Sequence, residues 1–313
     1  MPVIGLGTWK APKGEVKKAV LAALKQGYRH LDCACDYGNE EEVGAAIKEA
    51  MEAGVVTRKD LFVTSKLWNT FHAREHVEVA IQKSLKDLGL DYLDLYLIHF
   101  PISMKYVPIE ELYPPEWLNP TSKKIEFVDV PVSETWAGME GVCRKGLARN
   151  IGVSNFCAQT LMDLLKYAEI KPAVNQIELH PYLTQDSLVA FCQEKGIVLT
   201  AFSPLGASSY IELGMDRGEG VGVLNNPVVQ AIAREHSRTP AQVCLRWAVQ
   251  RGYTAIPKST HESRLQENLH VFDFTLSAED MVKISRLNRH LRYNDPGEFC
   301  KGMGLPNGYP IYA

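Results

Sequence analysis

The chain has 313 residues, of which 46% are hydrophobic and 23% charged, and its formal net charge at pH 7 is −3. This composition is typical of a globular protein, and the weak negative charge disfavours nucleic acid as a partner, because proteins that bind its backbone usually present a basic face. No apolar run approaches the roughly 20 residues of a transmembrane helix and no signal peptide is evident, so we expect a cytoplasmic protein without a membrane partner. The seven cysteines form no Cys-x-x-Cys motif, which favours reduced thiols.

Short segments rich in β-branched or aromatic residues recur along the chain and predict strands. Most are almost continuously apolar, as expected of parallel strands that are buried on both faces. In chain order the predicted strands are 3–7, 28–33, 61–67, 93–99, 150–154, 173–179, 197–203 and 253–258.

Amphipathic segments between these strands predict helices, several of which end at a glycine. The predicted helices are 15–26, 40–53, 74–88, 133–144, 159–167, 185–195, 227–235 and 240–250. Three longer stretches, 101–131, 206–226 and 294–313, do not repeat the pattern and are interpreted as loops. Long loops in a compact domain are usually functional or disordered, and two of these follow strand ends.

Repeated alternation of strand and helix implies right-handed parallel crossovers. Eight such units are the number that closes a barrel, so we expect a single (β/α)8 barrel domain over residues 1–313, an α/β fold with its long loops at the carboxyl ends of the strands. An open, doubly wound parallel sheet is the alternative that the same pattern permits.

The predicted strands end in polar residues, in one unit after another. Asp32 and Lys66 lie near the ends of the second and third strands, His99 ends the fourth, and Tyr37 follows Asp32 by five residues. Taken singly, each has a structural interpretation: Asp32 and Lys66 could form an ion pair that holds loops, and His99 could be a hydrogen-bonded core histidine. Together, on three consecutive units, they indicate one polar pocket at the carboxyl face.

The four side chains have the chemistry of an acid catalyst. A tyrosine hydroxyl has a reference pKa of about 10, so Tyr37 keeps its proton at neutral pH and can deliver it to a carbonyl oxygen. We expect Lys66 to lower the pKa of Tyr37 and Asp32 to keep Lys66 charged. His99 would donate a second hydrogen bond to the same oxygen.

The sequence lacks the motifs of other reaction classes. It contains no Gly-x-Ser-x-Gly, no His-Glu-x-x-His and no Cys/His metal spacing, so neither a hydrolase nucleophile nor a metal is expected. A proton donor without a nucleophile indicates addition to a carbonyl, with a cofactor that supplies the hydride.

A basic segment follows the eighth predicted strand and indicates an anion site. Lys258, Ser259 and Thr260 lead into a helix that carries Arg264 and Asn268. Cationic side chains and the free amides of a helix start bind phosphate groups. The alternative is a solvated basic helix start.

Ordered motifs along essentially the whole chain resemble those of the aldo-keto reductase superfamily. They are residues 1–9 (MPVIGLGTW), 27–34 (GYRHLDCA), 65–68 (SKLW), 94–99 (DLYLIH), 151–156 (IGVSNF), 172–181 (PAVNQIELHP) and 256–259 (IPKS). The resemblance implies a (β/α)8 barrel, a nicotinamide cofactor and a catalytic tetrad of Asp32, Tyr37, Lys66 and His99.

The resemblance also implies the residues that bind the cofactor. Ser154, Asn155 and Gln176 would hold the nicotinamide carboxamide, and Phe202 would stack on the ring where many members have tyrosine. The remaining implied contacts are Thr8, Trp9, Ser203, Leu205, Glu212, Lys258, Ser259, Thr260, Arg264, Glu267 and Asn268.

Within the superfamily the chain is most similar to xylose reductases and to plant aldose-6-phosphate reductases, through residues 99–115 and 291–296. This similarity implies reduction of an aldose or a related aldehyde in carbohydrate metabolism. The implied substrate residues are Trp9, Phe100 and Trp117, as an aromatic wall, and Asn294, which would reach sugar hydroxyls; Trp9 could instead belong to the core. Three alternatives stay open: an aldose-6-phosphate reductase, a reductase of hydrophobic carbonyls such as steroids or lipid aldehydes, and a catalytically idle subunit that senses the cofactor.

The choice of cofactor follows from the basic segment and from one loop acid. Lys258, Ser259 and Arg264 would surround a 2′-phosphate and favour NADPH. Residues 209–212 (SYIE) resemble a loop of xylose reductases that use both cofactors, and this resemblance implies that Glu212 accepts hydrogen bonds from the free ribose hydroxyls of NADH, although it could also be a solvated loop residue. We therefore expect NADPH to be preferred and NADH to be possible.

The chain begins at the first barrel strand, without the short hairpin that usually covers the barrel floor in the family. We expect an upstream extension, another segment or a second subunit to cover the apolar strand ends there, because large exposed apolar patches usually mark contacts. Both a monomer and a homodimer are compatible with the sequence.

Overall fold

The computed structural model describes residues 1–12, 14–206, 210, 222–305 and 307–312. Its strands form one parallel sheet of eight, ordered as in the chain. They are β1 Leu6–Gly7, β2 His30–Asp32, β3 Phe62–Leu67, β4 Leu95–Ile98, β5 Ile151–Ser154, β6 Val174–Glu178, β7 Val198–Phe202 and β8 Thr254–Ala255.

The last strand pairs with the first, and this contact closes the barrel. Ile4 and Ala255 form a parallel bridge. The amide of Gly5 donates to the Ala255 carbonyl over 2.9 Å, and the Ala255 amide donates to the Val3 carbonyl over 2.8 Å. The (β/α)8 barrel is therefore confirmed, and the doubly wound alternative is wrong.

Helices follow the strands and cover the barrel. They are α1 Val16–Gln26, α2 Glu40–Glu52, α3 Arg74–Leu88, α4 Val132–Arg144, α5 Ala158–Tyr167, α6 Asp186–Glu194, α7 Pro227–Glu235, α8 Pro240–Gln250, α9 Glu262–Leu269, α10 Ala278–Ser285 and α11 Pro296–Phe299. The predicted bounds of α3, α7 and α8 are those observed, those of α1, α2, α4 and α5 differ by one residue at one end, and those of α6 differ by one residue at both ends. None of the described helices is long and apolar enough to cross a membrane.

Two helices in the last part of the chain were not predicted. α10 begins with a capping box, in which the Ser277 hydroxyl accepts from the Asp280 amide over 3.0 Å. This is a recognisable helix start that the sequence analysis did not use. α11 lies inside the stretch 294–313 that was interpreted as loop; Asp295 caps it by accepting from the Gly297 amide over 2.8 Å.

The amino ends of the strands are filled by side chains. Leu95, Leu97 and Val174 form a small apolar cluster inside the barrel, separate from the main core between the sheet and the helices. Gly152 of β5 permits this packing, because a Cβ there would lie 2.5 Å from the Val174 carbonyl oxygen. Val198 remains 45% exposed at the same end. The covering of this floor by another segment or subunit stays a prediction, as does the assignment of residues 1–313 to one domain.

Candidate active site

The four residues of the predicted tetrad meet at the carboxyl ends of neighbouring strands. Asp32 is the last residue of β2, Lys66 lies in β3, and His99 follows β4 directly. Tyr37 ends a short 3-10 helix, Cys35–Tyr37, that β2 leads into. Because parallel strands end at the same mouth of the barrel, positions far apart in the chain become neighbours here.

Lys66 is fully buried, and three acceptors surround its ammonium group. Nζ donates to Asp32 Oδ1 over 2.6 Å, to the Cys33 carbonyl over 2.9 Å and to Tyr37 Oη over 3.1 Å. The second Asp32 oxygen accepts from Gln176 Nε2 over 2.6 Å. A buried ion pair is tolerated only when its remaining hydrogen-bonding capacity is used, and this pair meets that condition.

Tyr37 holds its proton more firmly than expected. Burial raises the pKa of Tyr37 well above its usual value, and the negative charges of Asp32 and Asp36 raise it further. The net shift is therefore upward, opposite to the lowering expected of Lys66, and desolvation of the phenolate is its largest cause. Tyr37 is a neutral hydroxyl at any physiological pH, which suits a proton donor.

His99 lies beside Tyr37 in an aromatic setting. Its ring stacks on Phe100 with a centroid distance of 5.0 Å and meets the edges of Trp68 and Tyr37 at 5.4 and 5.9 Å. Nδ1 lies 3.0 Å from Asp36 Oδ1, although the two atoms lack the alignment of a hydrogen bond. Asp36 is a site residue that the sequence analysis missed, since it follows no strand directly.

Asp32, Asp36, Tyr37 and His99 line a cavity of about 320 Å³ at the barrel mouth. Of the predicted site residues, the lining contains Trp9, Asp32, Tyr37, His99, Phe100, Trp117, Ser154, Asn155, Gln176, Phe202, Ser203, Leu205, Lys258 and Asn294. Lining residues that the sequence analysis missed include Trp68, Tyr210, Phe299 and Met303. Together with the predicted aromatic residues they make one wall of the cavity apolar.

Asn294 reaches the cavity from the C-terminal segment. Its Nδ2 donates to Tyr210 Oη over 3.3 Å, while its buried Oδ1 has no hydrogen-bond partner among the described residues. A buried amide oxygen without a partner costs free energy, so it is a natural acceptor for a ligand hydroxyl.

Glu178, the last residue of β6, holds the segment that carries Asn294. Its two carboxylate oxygens accept from the amides of Tyr293 and Asn294 over 2.9 and 2.8 Å, and Oε1 also lies 2.9 Å from His180 Nε2. Burial raises the pKa of Glu178, but the bonds from His180 and Tyr293 and the charge of Arg292 outweigh it and leave the pKa below its usual value. In the sequence, Glu178 can be recognised as a carboxylate at the end of an apolar strand.

The residues assigned to the nicotinamide carboxamide lie together at the ends of β5 and β6. Ser154 Oγ donates to the Gln176 carbonyl over 2.8 Å, and Asn155 Nδ2 donates to the His99 carbonyl over 2.9 Å. Asn155 adopts a left-handed backbone conformation, with φ of 64°, and this directs its amide toward the mouth. Phe202 and Ser203 follow at the end of β7 and also line the cavity.

The residues assigned to the phosphate end are more dispersed. Lys258 lines the cavity and is exposed, and Arg264 is exposed on α9. Neither cation pairs with a carboxylate among the described residues. The assigned residues that do not line the cavity are Thr8, Ser259, Thr260, Arg264, Glu267 and Asn268, and Glu212 lies outside the described residues.

Three of these residues have bonds within the chain. The Ser259 hydroxyl accepts from the His261 amide over 3.1 Å. The Thr8 hydroxyl donates to the Asp32 carbonyl over 2.9 Å and is buried. The Glu267 carboxylate accepts from the Thr239 hydroxyl over 2.5 Å.

The described residues contain no group of three or more side chains that could hold a metal ion.

Comparison with known proteins gives consistent similarities. The model of the family described as "Aldo/keto reductase family" matches residues 3–289. The NAD(P)H-dependent D-xylose reductase of Pachysolen tannophilus is 52% identical over 96% of this chain and 94% of that protein. The 4-dihydromethyl-trisporate dehydrogenase of Mucor mucedo is 46% identical over 98% and 95%. The structure of an aldose reductase from Schistosoma japonicum aligns with a TM-score of 0.83 at 42% identity, over 93% of this chain and 90% of that one.

Proposed function

The chain belongs to the aldo/keto reductase family, and from that membership we propose that it reduces the carbonyl group of an aldose such as xylose to the alcohol, with NADPH as the preferred cofactor. Family membership together with reductase relatives at about 50% identity makes it an oxidoreductase, and the four residues of the predicted tetrad, all present, disfavour an idle binding subunit. The observation that carries the proposal is the buried chain of hydrogen bonds from Asp32 through Lys66 to the Tyr37 hydroxyl, which opens on the cavity.

In the proposed reaction Tyr37 delivers its proton to the carbonyl oxygen. When bound, the nicotinamide supplies the hydride that the carbonyl carbon receives. Lys66 donates to Tyr37 Oη and is positioned to stabilise the phenolate that remains after proton transfer, while Asp32 keeps Lys66 charged and oriented. His99, whose ring meets that of Tyr37, contributes a hydrogen bond to the same oxygen and orients the carbonyl.

The residues present fit a nicotinamide dinucleotide. Ser154, Asn155 and Gln176 offer hydroxyl and amide groups beside the tetrad, as a carboxamide requires. At the other end, Lys258 and Arg264 are exposed cations without a carboxylate partner among the described residues, as a 2′-phosphate requires. These cations support a preference for NADPH, with NADH as a second cofactor. The role assigned to Glu212 in NADH use remains part of the proposal.

The aldose substrate is supported by Asn294 and by the relatives. The buried Oδ1 of Asn294 lacks a partner among the described residues and would accept from a sugar hydroxyl. Several relatives near 50% identity are named as D-xylose reductases. A phosphorylated sugar is less well supported, because Lys258 is the only lysine or arginine among the described lining residues and is assigned to the cofactor.

A hydrophobic aldehyde is a second candidate substrate. Trp9, Trp68, Phe100, Trp117 and Phe299 give the cavity an aromatic wall that a sugar does not need. The relative from Mucor mucedo is named for a substrate other than xylose, so identity near 50% does not by itself select the sugar.

One set of rates separates these substrates. NADPH oxidation is measured with xylose, glucose-6-phosphate and benzaldehyde, each at several concentrations. The proposal expects turnover with xylose and little with glucose-6-phosphate. Turnover with benzaldehyde alone would replace the aldose by a hydrophobic aldehyde, and no turnover with any of the three would contradict the proposal.

We further infer a cytoplasmic protein that is a monomer or a homodimer and acts on small molecules. All seven cysteines are free, and five of them are buried, as is usual in a reducing compartment.

A further inference from the structure

The C-terminal segment returns to the cofactor side of the cavity and ends against Asn155. The hydroxyl of Tyr312 donates to Asn155 Oδ1 over 2.7 Å. The Arg292 guanidinium lies 3.6 Å from the centre of the Tyr312 ring, and its Nη2 donates to Gln185 Oε1 over 2.9 Å. The Arg292 guanidinium therefore packs on one face of the Tyr312 ring and is itself hydrogen-bonded to Gln185 at the start of α6.

The other bonds of Asn155 fix which end of its amide meets Tyr312. Nδ2 has two hydrogens and donates to the His99 carbonyl and to Ser154 Oγ, over 2.9 and 3.2 Å. Ser154 Oγ already donates to the Gln176 carbonyl, so toward Asn155 it can only accept. The amide nitrogen must face the strands, and Oδ1 must face Tyr312.

Asn155 Oδ1 keeps one unused acceptor position. A carbonyl oxygen has two lone pairs, and Tyr312 is the single donor to Oδ1 among the described residues. Asn155 lines the cavity beside His99 and Gln176, where the carboxamide of the cofactor is proposed to lie. Burial raises the pKa of Tyr312 above its usual value, so its hydroxyl stays a donor.

We propose that Tyr312 is a positioning residue for the cofactor: its hydroxyl holds the side-chain amide of Asn155 so that the remaining lone pair of Oδ1 accepts from the amino group of the nicotinamide carboxamide. This inference rests on the proposed function, since it takes Asn155 as a cofactor residue. It adds to the barrel site a residue that comes from the end of the chain and touches the cofactor only through Asn155.

Tyr312→Phe isolates the hydroxyl, because the ring and its contact with Arg292 remain. Dissociation constants are measured by quenching of tryptophan fluorescence with NADP+, with its 3-acetylpyridine analogue, in which a methyl replaces the carboxamide amino group, and with 2′,5′-ADP, which lacks the nicotinamide. We expect the variant to weaken NADP+ about three- to tenfold, the effect of one hydrogen bond, and to leave the other two ligands within about twofold of wild type.

Tyr309→Phe is the matched control. Tyr309 lies in the same segment, but its ring stacks on Phe127 at 4.6 Å and not near Asn155. All three ligands should bind this variant as they bind the wild type.

The remaining outcomes overturn the inference in different ways. Equal weakening of NADP+ and 2′,5′-ADP by Tyr312→Phe would make Tyr312 a structural anchor of the tail. Tighter NADP+ binding would make it a plug that the cofactor displaces, and unchanged NADP+ binding would leave it without a role. Failure of the wild-type chain to bind NADP+ at all would instead contradict the proposed function.

Discussion

The two ends of the cavity differ in how far hydrogen bonds within the protein fix their side chains. At the end with the proposed tetrad, Lys66, Asp32 and Gln176 are buried and joined by hydrogen bonds of 2.6 Å, and Lys66 also donates to Tyr37 over 3.1 Å, so their geometry is fixed. At the phosphate end Lys258 and Arg264 are exposed and have no carboxylate partner among the described residues. Breaking the buried Lys66–Asp32 pair should therefore affect chemistry and folding together, whereas substitution of the exposed cations should change only which cofactor is preferred.

Lys66→Met tests the catalytic end most severely. It removes the cation from a fully buried pair and leaves Asp32 without its strongest partner, which typically costs about 3–5 kcal/mol of stability. We expect that loss in the free energy of unfolding measured with urea, together with loss of nearly all turnover. Lys283→Met is the control, because the pair of Lys283 with Glu279 is exposed to solvent that screens it, so its loss should change stability little. Equal free energies of unfolding for Lys66→Met and Lys283→Met would show that the buried pair does not stabilise the fold.

Tyr37→Phe separates chemistry from folding at the same end. The ring remains, but the proton donor is lost, so kcat should fall at least about 10²-fold while cofactor affinity and stability stay near wild type. Tyr253→Phe is the matched control, since its buried hydroxyl has no hydrogen-bond partner among the described residues. Near wild-type turnover of Tyr37→Phe would remove Tyr37 from the role of general acid.

Arg264→Ala tests the phosphate end. We expect kcat/KM with NADPH to fall about ten- to a hundredfold and that with NADH to change less than about twofold, because only NADPH carries the 2′-phosphate. Arg286→Ala, at an exposed arginine outside the cavity, should change neither value. An unaltered NADPH/NADH ratio in Arg264→Ala would mean that the phosphate lies elsewhere. Glu212→Ala provides a second test, since it should lower kcat/KM with NADH more than kcat/KM with NADPH.

Asn294→Ala should have the smallest effect, because it removes one hydrogen bond to the substrate. KM for xylose is expected to rise about three- to tenfold, and KM for benzaldehyde, which has no hydroxyl to bind, should stay within about twofold. Steady-state kinetics with both substrates measure the difference. Equal changes in KM for xylose and for benzaldehyde would show that Asn294 does not bind a sugar hydroxyl.

The positions of the proposed tetrad residues on the strands could be predicted from the sequence, because strand periodicity determines them. Apolar runs that end in Asp32, Lys66 and His99 place those residues at one barrel mouth, whatever the loops do. The pKa of Tyr37 was predicted in the wrong direction, because a residue's burial depends on the complete cavity and not on its neighbours in the chain.

The contacts of the tail could not be read from the sequence. Tyr312 and Asn155 lie 157 positions apart in the chain. The segment that carries Tyr312 shows no helical or strand periodicity in its sequence. Nothing in the local sequence around Arg292 or Tyr312 specifies that one packs on the other. Such pairings depend on the path of a loop, which only the folded chain defines.

The way Glu178 holds the tail has a consequence for how this enzyme can evolve. The carboxylate binds the backbone amides of residues 293 and 294, not their side chains, so the anchor survives almost any substitution at those positions. Position 294 can then exchange one side chain for another beside the substrate without releasing the segment that presents it. Single mutations can therefore change the lining of the cavity at position 294 and leave the architecture intact, and a laboratory library randomised there should yield mostly folded variants.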